Sequence, residues 1–236
     1  MKKLVLAGIE GKMGRFLYEG LQKEPDLEIV AGVGQAAKMH QKVPIYNDLS
    51  QLIVEVDFDI YLDFTIYEFS KVASAFMIKN NKPIIVGTTG FLETDISHLK
   101  ELAHQYGGRG IIAPNFSLGA ILIGKFAGLA ADYFKHFSVH EYHHHSKVDN
   151  PSGTALYIGN IIDQSLKETA GTTPVYGIRL PGMLATHHVM MSDETQKLEL
   201  IHQSNNRHSF EQGVILAISR LAEIEGLIYG LESVLN

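Results

Sequence analysis

Between residues 141 and 155 the chain reads EYHHHSKVDNPSGTA, which sets His143, His144 and His145, then Lys147, directly ahead of a Pro-Ser-Gly-Thr helix start. Two chemistries are open to such a run. If the strand continues regularly, Glu141, His143 and His145 share one face, the geometry of a facial triad for a metal-dependent hydrolase. Against a metal stand the cation of Lys147 and the break in the strand from Ser146 to Pro151. The second chemistry is proton transfer to an anionic substrate. Ser152 offers an N-cap hydroxyl, while Gly153 and Thr154 offer backbone N–H groups at the positive end of a helix. With Lys147 as cation and imidazoles as proton carriers, the run suits a small dianionic substrate, a dicarboxylate, and no metal. A bland reading, a polar strand end, also fits the histidines taken without their neighbours.

A second chemical candidate is VLAGIEGKMGRFL near the N-terminus, where Gly8, Gly11 and Gly14 follow an apolar strand and open a helix. Glycines there allow a tight turn and close approach of a pyrophosphate, whose charge the helix start stabilises. The spacing is GxxGxxG, with Glu10 standing where a GxGxxG loop has its middle glycine. After the second strand an Asp or Glu usually accepts the ribose hydroxyls of NAD. Here the chain reads IVAGVGQAAK, with Gly34 and Gln35 at that point, so strict NAD specificity is not encoded. Lys12 and Lys38 are near enough in sequence to attract a 2′-phosphate, or they are simply solvated. Both NADH and NADPH are therefore expected as cofactors.

These residues need a frame. Strand-length apolar runs alternate with helix-period segments: Leu4–Ala7, Met13–Lys23, Leu27–Val33, Ile60–Phe64, Phe69–Asn80, Pro83–Val86, Leu92–His104 and Ile111–Ala113. That alternation predicts an α/β fold, a parallel sheet wrapped by helices. The pattern changes at APNFSLGA. Beyond it come a helix over Leu118–Phe134, a strand at Phe137–His143, a helix over Thr154–Glu168, and strands HHVMMS and KLELIHQS joined by the turn DET. A last helix is expected over Glu211–Leu231, its stripe of Val214, Ile215, Ile218, Leu221, Ala222 and Leu227 returning to the first domain. The division expected is a Rossmann-type dinucleotide-binding domain, residues 1–114 and 208–236, and a smaller α+β substrate-binding and oligomerisation domain, residues 115–207, whose open sheet face self-associates.

Composition narrows the class. The chain has 236 residues, 45% of them hydrophobic, enough to bury a core in one large or two modest domains. A net charge of −6 recommends no nucleic acid or anionic membrane as partner. Cysteine is absent, so thiolate nucleophiles, disulfides and Cys-based zinc sites are excluded. The apolar run Leu4–Ile9 is too short for a signal peptide or a membrane span, and the chain is read as cytoplasmic.

The run EYHHHSKVDNPSGTA resembles the signature of the 4-hydroxy-tetrahydrodipicolinate reductase family, also called dihydrodipicolinate reductase, of bacterial lysine biosynthesis. The resemblance covers essentially the whole chain: GKMG is similar to its nucleotide loop, LDFT to its third-strand end, VGTTGF to the loop beside the nicotinamide, and APNFSLG to its interdomain hinge. HQSNNRHSF is similar to a His-x-x-x-x-Arg-x-x-Phe segment and places His202 and Arg207.

The resemblance implies NAD(P)H-dependent reduction in which His143 donates the proton and Lys147 anchors a substrate carboxylate or acts as the second catalytic group. His144 would touch substrate, and Gly153 and Thr154 would bind the other carboxylate. Gly8, Gly11, Lys12, Met13, Gly87 and Thr89 would line the dinucleotide, with Phe64, Ala113 and Phe116 nearby. It also implies a homotetramer, and domain closure to bring donor and acceptor together. Two departures stand out: the acid that many members carry after the second strand is Gly34 here, and a Gly-Gly-x-Pro-Gly-x-His loop reads PGMLATH at Pro181–His187. A non-catalytic dinucleotide sensor, retaining the glycine loop and tolerating loss of His143 and Lys147, is the remaining alternative.

Overall fold

The computed structural model of the chain describes all residues except 36–38, 41, 167–171 and 236, with residues 40 and 207 described by backbone alone. Lys38 thus lies outside the described residues. In chain order the elements are β1 (Lys2–Ala7), α1 (Lys12–Leu21), β2 (Leu27–Val33), β3 (Met39–His40), β4 (Val43–Tyr46), α2 (Leu49–Glu55), β5 (Ile60–Asp63) and α3 (Tyr67–Lys79). There follow β6 (Ile84–Val86), α4 (Glu93–Tyr106), β7 (Gly110–Ile112), α5 (Leu118–Ala130), β8 (His136–His143), α6 (Gly153–Ser165) and β9 (Val175–Arg179). The chain ends with β10 (Thr186–Ser192), β11 (Lys197–Gln203), α7 (Glu211–Arg220) and β12 (Leu227–Tyr229). Two compact units result, residues 1–116 with 211–236, and residues 117–210.

The first unit is built on a sheet in the order β12-β7-β6-β5-β1-β2-β4-β3. Every neighbouring pair in it is parallel except β3 with β4. Its central strands are buried on both faces, which is why they read as unbroken apolar runs: Leu4, Val5, Leu6 and Ala7 have no exposure. Asp63, equally buried at the end of β5, interrupts that rule. The chain steps from β1 outward to β2 and β4, then returns to β5 on the other side of β1. That reversal opens a crevice at the carboxyl ends of β1 and β5, where open parallel sheets bind ligands.

The expected helix over Glu211–Leu231 is corrected. Helix α7 stops at Arg220, a short 3-10 turn follows at Leu221–Glu223, and Leu227–Tyr229 pair in parallel with β7. Gly226, at φ +69°, redirects the backbone into the strand. Leu227 is buried as expected, but as part of a sheet edge. Helix α7 does pack on α1, where a Cβ on Gly20 would overlap the Glu211 carboxylate.

In the second unit the sheet order is β11-β10-β8-β9, antiparallel except for β8 with β9. The parallel pair needs a crossover, and α6 supplies it. Helices α5 and α6 cover one face over a core of Ile123, Ala127, Val139, Ile158, Ile162 and Val189. Alternation then sends Ser138, His140, Tyr142, Tyr176, His188 and Ile201 to the opposite, open face. Among the described residues no helix is long and apolar enough to cross a membrane.

Candidate active site

In the first unit the glycine loop joins β1 to α1. Gly8 has φ +79°, and a Cβ on it would stand 2.5 Å from the Phe64 carbonyl oxygen. A Cβ on Gly14 would overlap the Gly8 carbonyl, so α1 can start hard against the turn only with glycine there. A groove of about 610 Å³ opens beside the loop, lined by Gly8, Glu10, Gly11, Gly34, Gln35 and Phe64 among others. Such a cradle, cut for close backbone approach at a helix start, fits the pyrophosphate of a dinucleotide.

Asp63 holds Thr65, one of the residues that line that groove. Its Oδ1 accepts from the Thr65 N–H at 3.0 Å, the Thr65 hydroxyl at 2.6 Å and the Thr88 hydroxyl at 2.9 Å. Burial pushes the Asp63 carboxyl up, and these hydrogen bonds oppose the shift. They tie the loop after β5 to the loop after β6. The Phe64 ring lies where a Gly87 Cβ would be and sits 5.6 Å from the Phe116 ring. Ala113, wholly buried, donates its N–H to Val86. Phe64, Gly87 and Phe116 are thereby brought together, while Lys12 and Thr89 are exposed and Met13 is half-buried.

In the second unit, strand pairing sets Glu141 opposite His187, His187 opposite His202, and His143 opposite Arg179. Glu141 is fully buried. Oε1 takes the Arg179 guanidinium at 2.5 Å and the Ser152 N–H at 3.1 Å, and Oε2 pairs with His143 Nδ1. Burial by itself would raise this carboxyl, but His143 and Arg179 together hold it at about 2. His187 stacks on His202 with ring centres 5.8 Å apart and meets His143 edge-on at 5.9 Å. Burial drives the His187 imidazole down to about 4, reinforced by the charges of His202, His143 and Lys147. His202 is lowered by burial and lies 3.4 Å from the Ser117 hydroxyl.

The anion site lies in the turn after β8. Lys147 Nζ is 2.9 Å from Asp149 Oδ1. Lys147 chiefly lowers the Asp149 carboxyl, with a smaller part from the Gly153 N–H. A carboxylate of the chain itself thus sits on the cation and the helix start that the sequence assigns to substrate. Ser152 caps α6 by accepting from Ala155 N–H at 3.2 Å. His144 and His145 are exposed, their rings 4.0 Å apart, and His144 Nδ1 lies 2.9 Å from the Ser146 hydroxyl.

This geometry does not bring Glu141, His143 and His145 together as a facial triad. Glu141 spends both oxygens on His143, Arg179 and Ser152, and His145 falls beyond the end of β8. Among the described residues no group of three or more His, Asp or Glu is placed to hold a metal ion. Of the segment HQSNNRHSF, His202 joins the histidine stack, whereas the Arg207 side chain lies outside the described residues.

Sequence reasoning missed Arg179, Asp63 and the placement of His187. Arg179 sits in TTPVYGIRLPG, which lacks a strand-length apolar run. His187 did leave a signal, being in phase with the buried Val189 and Met191.

The family model "Dihydrodipicolinate reductase, N-terminus" matches residues 2–116, and "Dihydrodipicolinate reductase, C-terminus" matches residues 119–235. The 4-hydroxy-tetrahydrodipicolinate reductase of Bacillus subtilis is 34% identical over 261 residues, 99% of this chain and 98% of that protein. The enzyme of the same name from Streptococcus uberis is 34% identical over 253 residues, covering 99% of each. Among solved structures, dipicolinate-bound dihydrodipicolinate reductase from Paenisporosarcina sp. TG-14 is similar with a TM-score of 0.91 and 31% identity over 100% of both chains. With both halves matched in order and full-length relatives above 30% identity, the chain belongs to the dihydrodipicolinate reductase family.

Proposed function

We propose that this chain reduces 4-hydroxy-tetrahydrodipicolinate to tetrahydrodipicolinate in lysine and diaminopimelate biosynthesis. Residues 1–114 with 208–236 serve as the dinucleotide-binding domain and residues 115–207 as the substrate domain. Converting the 4-hydroxy substrate to tetrahydrodipicolinate requires the 4-hydroxyl to leave as water, which conjugates the ring with its imine; NAD(P)H, held in the groove at Gly8, Gly11 and Phe64, would then supply a hydride to the ring carbon that lost the hydroxyl. Gly87 and Phe116 back the Phe64 ring, and Thr89, Lys12, Met13 and Ala113 complete the nucleotide set.

Hydride addition leaves an enamine-like anion that must take a proton, and His143 is its donor. Glu141 fixes Nδ1 of His143, which settles the ring orientation and leaves Nε2 for exchange with substrate. Lys147 anchors one substrate carboxylate, Gly153 and Thr154 bind the other, both in place of Asp149, and His144 touches the substrate. Charge neutralisation there lowers the cost of bringing hydride to a dianion. The observation that carries this reading is the carboxylate already seated on Lys147 and Gly153, six residues from a histidine locked by a buried glutamate. Dipicolinate, which the Paenisporosarcina relative binds, is a dicarboxylate of the same kind.

The same reading has the chain act in the cytoplasm as a homotetramer assembled through the open sheet face. Ile201 at 63% exposure and Tyr176 at 53% support an interface there. A coupled assay with enzymatically generated substrate and each reduced nucleotide tests the activity. Turnover that persists in chelator supports it, and absence of turnover with either nucleotide overturns it.

A further inference from the structure

Gly34 follows the second strand of the nucleotide fold without a carboxylate of its own, yet a carboxylate stands there. Glu10, from the glycine loop, reaches across to the strand end, and a Cβ on Gly34 would overlap its Oε2. The Gln35 N–H donates to the same oxygen at 3.2 Å. Glu10, Gly34 and Gln35 line one groove together with Gly8 and Gly11, all within the first unit. The two departures from the usual fingerprint are therefore complementary: glycine at 34 makes the room that glutamate at 10 fills.

Resting on the dinucleotide reading above, we propose that Glu10 is the specificity-determining residue of this cofactor site, and that it selects NADH over NADPH. In this fold the adenosine ribose lies at the end of the second strand, where a carboxylate accepts from the ribose hydroxyls. A 2′-phosphate replaces one of those donors with a dianion and meets the carboxylate at close range, where like charges repel strongly. The acid is delivered from the first turn instead of the second strand, and its position in space is retained. The absence of an acid at Gly34, taken from the sequence as permissive for NADPH, is thus offset by a residue twenty-odd positions away.

Calorimetric titration of the full chain with NADH and with NADPH, alongside kcat/KM for each, tests the assignment. The unmodified chain should favour NADH by roughly tenfold or more in both measurements. Glu10→Gln keeps the shape and removes the charge; it should tighten NADPH and weaken NADH, shifting the ratio by about tenfold. A double variant, Glu10→Gly with Gly34→Asp, returns the acid to the strand and should restore the NADH preference. Equal affinities in the unmodified chain, or a ratio unchanged within about twofold in Glu10→Gln, would overturn this proposal while leaving the dinucleotide site intact. No binding of either nucleotide to the unmodified chain would overturn the dinucleotide reading, and this proposal with it.

Discussion

Arg179 reaches Glu141 across the β8–β9 ladder, NH2 to Oε1 at 2.5 Å, with the carboxylate fully buried and the guanidinium side chain only 13% exposed. Arg179 also donates to the Asp149 carbonyl at 2.5 Å and to the Ile178 carbonyl at 2.9 Å. One guanidinium therefore joins the carboxylate that orients His143 to the turn that carries Lys147. Removing one partner of a buried pair leaves an uncompensated charge, which costs about 3–5 kcal/mol. Arg179→Met should destabilise the second unit by that order in urea unfolding, and adding Glu141→Gln should recover part of the loss. A single-variant cost below about 1 kcal/mol would show the pair to be energetically idle.

Acidification should weaken the fold in two separate windows. His187 binds a proton in the unfolded chain below its ordinary 6.5 but in the fold only near 4. The unfolded state holds the extra proton between those values, so stability falls as pH drops from 6.5 to 4, at up to about 1.4 kcal/mol per pH unit. Glu141 behaves differently: its folded value near 2 lies below its ordinary 4.5, so its contribution is full above 4.5 and lost as pH falls toward 2. His187→Gln should reduce the slope of the upper window, leaving the part that the lowered imidazoles of His140 and His202 contribute, and should spare the lower one. A stability profile that keeps its slope from 6.5 to 4 in that variant would refute the assignment.

The proposed division of labour between His143 and Lys147 separates in kinetics. Lys147→Ala removes a charge that pairs with substrate and transition state alike, so KM should rise and turnover fall. His143→Ala should mainly lower turnover, by about 10²–10⁴-fold, the range for loss of a general acid. Glu141→Gln acts through His143, and its signature should be an altered pH–rate profile with substrate affinity little changed. Calorimetry should find nucleotide affinity preserved in all three. Near-normal turnover of His143→Ala would remove the acid assignment.

How far the sequence carried these conclusions depended on whether each signal was local. The glycine loop was legible because Gly8, Gly11 and Gly14 act within one turn, and the family resemblance of EYHHHSKVDNPSGTA is confirmed by matches over both halves of the chain. Leu227 was misread because one apolar residue in phase with a helix is equally in phase with a short strand, and only pairing with Gly110 decides. Arg179 and Asp63 stayed hidden since their roles come from partners distant in sequence: Glu141 for the first, Thr88 for the second. Gly34 was read correctly as lacking an acid, but the acid supplied by Glu10 arrives from another loop.

Assembly offers the last test. The open face of the second sheet carries Tyr176 and Ile201, both more than half exposed, beside His140 and His188, whose rings lie 6.2 Å apart. Large apolar side chains on a sheet face without covering helices are expected to be buried by another copy. Light scattering should find a particle four times the 26.1 kDa chain mass. Ile201→Asp places a charge on that face and should dissociate the assembly, because an unpaired carboxylate in a closed interface costs several kcal/mol per copy and symmetry repeats the cost in every subunit. His202, one residue along but on the helix-covered face, leaves the substrate residues outside the change, so the variant should still bind nucleotide with unaltered affinity. A monomeric unmodified chain, or a variant whose mass does not change, would place the self-association surface elsewhere.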